Sequence, residues 1–430
     1  MIDYLAKAVK IPQIRNRIIF TLSILALYRF LSFIPVPNIN TQTLKLFFES
    51  SQVLNILNIF TGGGLKNFSI IALGVGPYIS ASIVIQLMTM VFPKLEELSK
   101  EGTAGRQKIN QYTQLLTLPL AIIQAFSVYA LLNSQQFQGI SLLGDLGPVD
   151  LTTLVLIMTS GTFLLMWLGE QISERGVGNG MSVIIFAGIL AGLPSALTGT
   201  AAVVDINQIF SLLLFIGIAV AVIAGVVYIN ESFRKIEIMY SSKVRGGKSF
   251  GGGESFIPIK INQAGVIPII FAVSLVLIPN AAGPYLERVP NSAVSGIGFW
   301  MTSHFAPSSF LYNVLYFVLV FVFTYFYTSV TFNPEKVSDD IRRSGGFITG
   351  IRPGKSTVEH LKYIISRLTL AGGVFLGLIA VLPSVVQGLT NVNSLAIGGT
   401  GLLIVVSVIL ETVKQIQSQV VTREYESFSR

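Results

Sequence analysis

The sequence predicts an all-α membrane protein with ten transmembrane helices, arranged as two inverted halves of five helices each. Only 12% of the 430 residues are charged, about half of the fraction that soluble domains usually carry. Long uncharged segments recur along the chain, each close to the ~20 residues that an α-helix needs to cross a bilayer. These segments are continuously apolar, whereas the strands of a membrane barrel would alternate apolar and polar residues.

Each predicted helix corresponds to one of these segments. In chain order their limits are 18–34, 70–92, 112–132, 151–169, 181–200, 209–229, 263–279, 310–332, 368–386 and 396–413. Only Arg29 is a charged residue well inside a segment, close enough to its end for the side chain to reach the interface. Glu411 lies near the end of the last segment. The first segment follows basic residues without a small-residue cleavage site, which indicates a retained span.

The second segment is broken near its start. Gly62, Gly63 and Gly64 precede it, and each glycine costs roughly 1 kcal/mol in a helix interior. Pro77 removes a backbone donor and disfavours helix at the residue before it, and Gly74 and Gly76 flank this position. Non-helical backbone at membrane depth is tolerated only where it lines a cavity. We therefore expect this stretch to lie in a water-filled funnel.

The distribution of basic residues predicts the orientation of the chain. If the N-terminus is cytoplasmic, 25 of the 29 lysine and arginine residues fall in cytoplasmic segments, as the positive-inside rule requires. Ten spans then place both termini in the cytoplasm. The net charge of +8 is first a topology signal, although basic loops could also meet anionic lipid or the RNA of a docked partner.

The spans divide into an N-terminal half, residues 1–200, and a C-terminal half, residues 201–430. Because five is odd, the second half runs through the membrane in the opposite sense, and such repeats often place a pathway at their interface. Two long cytoplasmic loops, 230–262 and 333–367, interrupt the second half. They are either solvated connectors or a docking platform for a cytosolic partner. The turn and basic residues of the first loop suggest an exposed hairpin.

No catalytic or metal-binding pattern is present in the sequence. The chain has no cysteine, which excludes disulfides and thiolate metal sites. His304 and His360 fall on opposite sides of the membrane in the predicted topology. There is no zinc-protease or Walker A motif, and the glycine-rich "GVGNG" (176–180) lies in a short loop between spans. We therefore predict no enzyme activity, no cofactor and no metal.

The nearly uncharged spans favour a passive conduit. Ion-coupled transporters usually keep ionisable residues inside the bundle, whereas an apolar constriction selects by size and by loss of water. An ion-coupled secondary transporter of a small solute remains the alternative, supported by the inverted halves and the broken second span. A membrane scaffold without a pore is also compatible with the composition.

Several motifs, in one order, resemble those of the SecY family of protein-conducting channels across essentially the whole chain. They are "SFIPVPNIN" (32–40), "IFTGGGLKNFSIIALGVGPYISASIVIQL" (59–87), "EGTAGRQKINQYTQ" (101–114), "MWLGEQISERGVGNGMSVIIFAGI" (166–189), "IPIKINQAGVIPIIFA" (257–272) and "SGGFITGIRPG" (344–354). The resemblance implies an hourglass pore between the two halves, with an apolar ring at its waist, a plug on the outer side and a lateral gate towards lipid.

Matching motif by motif assigns residues to these parts. The ring falls on Val75, Ile79, Met181, Ile185, Ile270 and Ile404. The plug, around 58–69, comprises Asn58, Ile59, Phe60, Thr61, Gly62, Gly63, Gly64, Leu65, Lys66, Asn67 and Phe68. Its hinge to the gate helix is formed by Gly74, Gly76 and Pro77. The lateral gate, between the second and seventh spans, includes Ser82, Gln86, Asn262 and Gln263.

The resemblance also implies partners. The small subunits SecE and SecG would complete the channel, and the SecA motor ATPase or a ribosome would dock on the cytoplasmic loops. The docking residues would be Lys243, Arg245, Lys248 and Arg352, since arginine binds phosphate or carboxylate in a bidentate manner. Signal sequences and nascent chains would be the cargo, anionic lipids would contact the basic loops, and the location would be the cytoplasmic membrane of a bacterium.

Overall fold

The computed structural model describes residues 7–37, 39, 44, 48, 58, 63–133, 136–137, 140–141, 147–203, 209–240, 243–245, 248–250, 254–287, 289, 291–306, 309–390 and 396–428. Within these residues the chain is mainly helical. The helices are α1 (Pro12–Leu31), α2 (Gly76–Val91), α3 (Pro93–Lys100), α4 (Thr103–Asn133), α5 (Pro148–Arg175), α6 (Gly180–Val203), α7 (Ile209–Glu231), α8 (Ile267–Glu287), α9 (Ser292–His304), α10 (Phe310–Thr331), α11 (Pro334–Arg343), α12 (Lys355–Thr390) and α13 (Ala396–Phe428).

The apolar helices agree with a multi-pass membrane protein. Among the described residues, five helical segments are long and apolar enough to cross a bilayer, namely Thr103–Ala130, Pro148–Arg175, Phe310–Arg343, Lys355–Val386 and Gly401–Arg423. The bent pair α2 and α3, with 107° between its members, makes a sixth if it is one span. Each of the ten predicted segments overlaps a helix of the structure.

Two of the predicted spans start several residues before the corresponding helices of the structure. The second was placed from residue 70, but residues 63–75 form turns and α2 begins at Gly76. Gly74 has a φ of +60°, which a right-handed helix cannot contain, and Pro77 occupies the first turn, where no donor is needed. The seventh was placed from residue 263, but α8 begins at Ile267, because Gly265 with φ +65° ends the preceding turn.

Two large apolar clusters form the core. The first joins α1, α5, α6 and α13 to the turn segment before α2, with Ile71, Leu168 and Ile184 among its buried members. The second joins α8, α10 and α12, with Ile269 and Tyr316 at its centre. Between helices in a bilayer, such close packing is stabilised by van der Waals contact, so the two clusters hold these helices together.

Glycines let some backbones approach unusually closely. A Cβ added at Gly161 in α5 would overlap the carbonyl oxygen of Ile70 in the turn segment. A Cβ added at Gly180, the first residue of α6, would overlap the carbonyl oxygen of Gly169 in α5. Helix α5 is therefore in direct backbone contact with both the segment before α2 and the start of α6.

The two long loops 230–262 and 333–367 share one small sheet. The strands are β1 (Gln136–Phe137), β2 (Ile140–Ser141), β3 (Phe233–Tyr240), β4 (Lys243–Arg245), β5 (Lys248–Phe250), β6 (Glu254–Lys260) and β7 (Gly346–Ile348). The antiparallel sheet has the order β6-β3-β7, with β3 and β6 from the first loop and β7 from the second. Sequence analysis had treated the two loops as separate regions.

A small apolar core holds this sheet on the end of α12. Ile236, Ile259 and Ile348 are buried on one face of the sheet and pack against Leu361 and Ile364 of α12. In the register of the sheet, Ile238 lies opposite Ile348. The loops are therefore one folded unit continuous with a membrane helix, and not two independent connectors.

Candidate functional site

The structure brings the six predicted ring residues together in one apolar cluster. Val75, Ile185, Ile270 and Ile404 are buried within the cluster, and Ile79 and Met181 are half-buried and pack against it. They come from four helices and the turn before α2, which lie far apart in the sequence. We refer to these six residues as the seal.

Local structure explains how the seal residues are positioned. Val75 is the residue before α2, and its carbonyl oxygen accepts a hydrogen bond of 3.0 Å from the amide of Ile79, so that the two side chains follow one another by one turn. Met181 is the second residue of α6, and its side chain packs against Gly169 of α5. A Cβ added at Gly169 would lie only 2.8 Å from the Sδ atom of Met181. Ile79 also packs against the second core cluster, so it lies between the two clusters.

The described part of the predicted plug is Asn58 and Gly63–Phe68, whereas Ile59, Phe60, Thr61 and Gly62 lie outside the described residues. The backbone amide of Lys66 donates to Asn58 Oδ1 at 2.7 Å, and the amide of Gly63 donates to the Asn58 carbonyl at 2.8 Å. Gly63 has a φ of +83° and lies close to the side chain of Arg29 at the end of α1. Asn58 therefore holds this turn closed.

Backbone hydrogen bonds attach the plug segment to the chain that follows α1. The amide of Val36 donates to the Phe68 carbonyl at 2.9 Å, and the amide of Ile70 donates to the Ile34 carbonyl at 3.0 Å. Phe68 is fully buried although its φ is +44°, which is uncommon for a bulky residue. Leu65, Ala72 and Leu73 are buried in the same apolar cluster as Phe68, so the described part of the segment is held by apolar packing as well as by hydrogen bonds.

A polar cavity of about 460 Å³ adjoins the seal. Its lining includes Asn262, Gln263, Ser407 and Lys414, and it also includes Val266, which is a buried member of the seal's apolar cluster. The lining of the cavity therefore combines polar side chains with apolar ones from the cluster that contains the seal. We call this cavity the vestibule. In the predicted topology it opens to the cytoplasm.

Within the described part of the chain, the predicted gate residues on α2 and before α8 do not form hydrogen bonds with each other across the α2–α8 contact, which we call the seam. Their hydrogen bonds are made on the side of the seam to which they belong. In α2, Gln86 Nε2 donates to Ser82 Oγ at 3.0 Å. Before α8, buried Asn262 donates to Asn230 Oδ1 at 2.8 Å and accepts from the Gly265 amide at 3.0 Å. The contact between α2 and α8 is instead apolar, with Ile83 in the same cluster as several residues of α8.

A polar link between α7 and α13 was not anticipated from the sequence. Asn230 Nδ2 at the end of α7 donates to Ser407 Oγ of α13 at 3.1 Å, and Lys414 Nζ of α13 lies 2.9 Å from Glu231 Oε1. Because Asn262 also binds Asn230, the start of α8 is connected to both helices. The signal for this link in the sequence was the presence of polar residues at the ends of otherwise apolar spans.

A second polar cluster, also missed, joins α2, α4 and α5. Glu170 Oε1 accepts hydrogen bonds from Asn110 Nδ2 at 3.0 Å and from Gln114 Nε2. Tyr78 Oη donates to Asn110 Oδ1 at 3.4 Å. Asn110 and Gln114 are four residues apart and so lie on the same face of α4, which was the sequence signal for a shared partner.

The glycine-rich loop before α6 has its backbone donors occupied by side chains. The amide of Val177 donates to Thr21 Oγ1 at 3.0 Å, and that of Gly178 donates to Gln415 Oε1 at 2.6 Å. The amide of Gly180 donates to Ser173 Oγ at 2.9 Å. A phosphate-binding loop would need these donors for its ligand, so the loop instead ties α1, α5 and α13 together.

The predicted docking residues lie on the folded unit that the two long loops form. Strands β4 and β5 pair antiparallel, which places Arg245 opposite Lys248 and Lys243 opposite Phe250. Arg352 is exposed in a turn after β7, and its carbonyl oxygen accepts a hydrogen bond of 3.0 Å from Thr357 Oγ1 at the start of α12. The basic side chain of Arg352 is therefore presented to solvent by an ordered turn.

Within the part of the chain that the structure describes, no group of three or more histidine, aspartate or glutamate residues could hold a metal ion.

Comparisons with known proteins place this geometry in context. The family model SecY matches residues 69–413. The chain is 41% identical over 448 residues to the protein translocase subunit SecY of Mycobacterium bovis, with all of both chains covered. It is 42% identical over 428 residues to that of Thermus thermophilus, covering 98% of this chain and 96% of the relative.

Solved structures with a similar fold are also protein channels. A structure of a protein-conducting channel matches with a TM-score of 0.62 and 19% identity, covering 95% of both chains. Sec61 in a canine ribosome-channel complex matches with a TM-score of 0.57 and 19% identity, again covering 95% of both chains. At such identities the likeness concerns the fold.

Proposed function

The chain belongs to the SecY family, and from this premise we propose that it forms the protein-conducting pore of a protein translocase. It is a channel subunit and not an enzyme. Ten spans in two inverted halves, with both termini in the cytoplasm of a bacterium, are the arrangement that the basic loops and the helix order support. The pore runs between the halves, from the vestibule through the seal to the plug segment.

The convergence of six apolar residues is the observation that carries this proposal. They meet in one cluster although they come from distant parts of the sequence, and Val266 of the same cluster also lines the polar cavity. A narrow apolar constriction excludes ions because water leaves it. An unfolded chain can still pass, because flexible aliphatic side chains can move around it and Met181 is especially adaptable.

Lateral release follows from the apolar seam between α2 and α8. Opening a seam that is formed by aliphatic side chains, such as Ile83, exposes no unpaired backbone group to lipid, since each helix satisfies its own hydrogen bonds. A signal sequence or membrane helix would leave through this seam by partitioning into lipid. Ser82, Gln86, Asn262 and Gln263 would line the cytoplasmic part of the opening.

We propose that partners supply the driving force, since the sequence has no Walker A motif. We propose that the loop unit receives a ribosome or the SecA ATPase, that Lys243, Arg245, Lys248 and Arg352 contribute charged contacts, and that SecE and SecG complete the channel. The shared sheet and its core on α12 support this role. A load applied to either loop reaches a membrane helix through packed side chains.

Reconstitution tests the proposal directly. Vesicles containing the chain with its two small subunits should import an unfolded secretory precursor when the motor ATPase and ATP are added, and no ion gradient should be required. Vesicles without the chain serve as the control. Failure to import the precursor, together with uptake of a small solute driven by an ion gradient, would show that the chain is a transporter. Nothing in the comparisons favours that alternative.

A further inference from the structure

Helix α9 is a short helix that presents an apolar surface to its surroundings. Ile297, Phe299 and Trp300 are 55%, 69% and 48% exposed. Between Ser292 and His304 there is no Asp, Glu, Lys or Arg. With 13 residues the helix is about 20 Å long, too short to cross a bilayer. It therefore exposes large apolar side chains without being a span.

The opposite face of α9 is fixed to α8 by close packing. A Cβ added at Gly298 would overlap the backbone amide nitrogen of Glu287, and one added at Gly283 would lie 2.5 Å from Thr302 Oγ1. Ser295 Oγ donates to the Glu287 carbonyl at 2.9 Å. Thr302 Oγ1 donates to Glu287 Oε1 at 2.6 Å. The two helices are therefore in backbone contact and are joined by side-chain hydrogen bonds.

The end of α9 and the start of α10 both expose aromatic side chains. Trp300 stacks on His304 with ring centroids 5.1 Å apart and meets the edge of Phe305 at 5.8 Å. The amide of Ser309 donates to the Ala306 carbonyl at 2.8 Å, and α10 then begins with Phe310, whose side chain is 84% exposed. The aromatic surface of α9 therefore continues into a helix that is long and apolar enough to span the membrane.

We propose that α9 lies at the lipid–water interface on the non-cytoplasmic side of the membrane. Its residues Ile297, Phe299 and Trp300 are inserted among the lipid headgroups and the upper parts of the acyl chains. An apolar face with an indole ring suits this region, where aromatic residues are enriched. No basic residue is present to select anionic lipid. Because α9 is packed against α8, the lipid anchor and the outer end of this gate helix move as one rigid body.

The depth of α9 agrees with this assignment, which rests on the proposed pore and topology. Gly283, against which α9 packs, is 13 residues after Ile270 of the seal, or about 20 Å along the helix axis. If the seal lies near the bilayer centre, a tilted α8 places Gly283 close to the edge of the hydrocarbon core, which lies about 15 Å from that centre. The packed part of α9 is then at the interface.

Fluorescence of a single tryptophan tests the proposal, because Trp167 and Trp300 are the only tryptophans of the chain. The full chain carrying Trp167→Phe is reconstituted with its small subunits in zwitterionic phosphatidylcholine vesicles. The lipids carry bromine at either shallow or deep acyl-chain positions. We expect Trp300 to be quenched strongly by shallow bromines and weakly by deep ones, with little quenching by aqueous iodide. Strong iodide quenching without lipid quenching would overturn the proposal.

Two further variants separate insertion from rigid attachment. In the Trp167→Phe background, Gly298→Ala should displace α9 and change the quenching profile of Trp300. Gly296→Ala is the matched control, since an added Cβ there meets nothing within 4 Å, and it should leave the profile unchanged. Identical profiles for both variants would contradict the rigid attachment. The readout needs no translocation, so a failed import assay with normal quenching would count against the proposed function alone.

Discussion

Replacing Gly161 by alanine should loosen the docked plug segment. Gly161 lies in α5, and a Cβ at this position would overlap the carbonyl oxygen of Ile70 and lie 2.8 Å from its carbonyl carbon and 3.3 Å from Ile71 Cα. These are backbone atoms, so no side-chain rotation can relieve the contact. Either α5 or the segment before α2 must shift, and we expect the segment to shift because residues 63–75 form turns without the regular hydrogen bonds of helix α5.

The expected cost follows from known substitutions. Overpacking of a core costs about 1–3 kcal/mol, and alanine regains up to about 1 kcal/mol relative to glycine in a helix. A net cost of about 1–2 kcal/mol would raise the population of the undocked segment by about 5- to 30-fold, since 1.4 kcal/mol corresponds to a factor of ten. Because the segment continues into Val75 of the seal, undocking should also weaken the ion barrier.

Planar-bilayer conductance of the resting channel measures this effect, and we expect an increased leak for Gly161→Ala. Thiol labelling gives an independent readout, because the chain has no native cysteine. A cysteine introduced by Ser69→Cys, at a fully buried position, should react faster in the Gly161→Ala background. Gly217→Ala in α7 is the control, since a Cβ there meets nothing within 4 Å. Equal leak and equal labelling in the two backgrounds would refute the reasoning.

Three other changes test separate parts of the account. Ile185→Asn should raise resting conductance and ease passage of precursors with defective signal sequences, and unchanged conductance with unchanged selectivity would remove Ile185 from the seal. Arg352→Glu should lower motor-driven export about tenfold, since hydrogen bonds to charged groups contribute about 1.5–3 kcal/mol. The charge-matched Arg343→Glu should have a smaller effect, and equal effects would indicate only net charge. Glu170→Ala should lower the melting temperature in detergent more than Glu170→Gln, because the glutamine carbonyl can still accept a hydrogen bond from Asn110. Equal melting temperatures of the two variants would argue against a stabilising role of this hydrogen bond.

The predicted spans and the predicted ring residues rest on different kinds of signal in the sequence. The spans follow from apolar length, a local property, and each predicted segment overlaps a helix. The seal residues carry no local signal, because an isoleucine that faces a pore is not distinguished by composition from one that faces lipid. They were assigned by resemblance, and the structure shows that they share one cluster.

Features that depend on pairing between distant residues were not predictable. The sheet that unites the two cytoplasmic loops requires β7 to meet β3 across about one hundred residues, and short strands in loops give little periodic pattern. The link from Asn262 through Asn230 to Ser407 likewise joins three separate elements. Span starts were misplaced at residues 70 and 263, because hydropathy does not register the positive φ values of Gly74 and Gly265.

Cross-linking to a translocating chain tests the central claim, that polypeptide passes through the seal. The chain has no cysteine, so Ile79→Cys and a single cysteine in a stalled precursor would form the only possible disulfide between them. The matched control is Leu156→Cys in α5, a position that is 65% exposed on the outer surface of a span. We predict a disulfide at position 79 and none at position 156. A protease-protected, stalled precursor that cross-links equally at both positions, or at neither, would contradict the account.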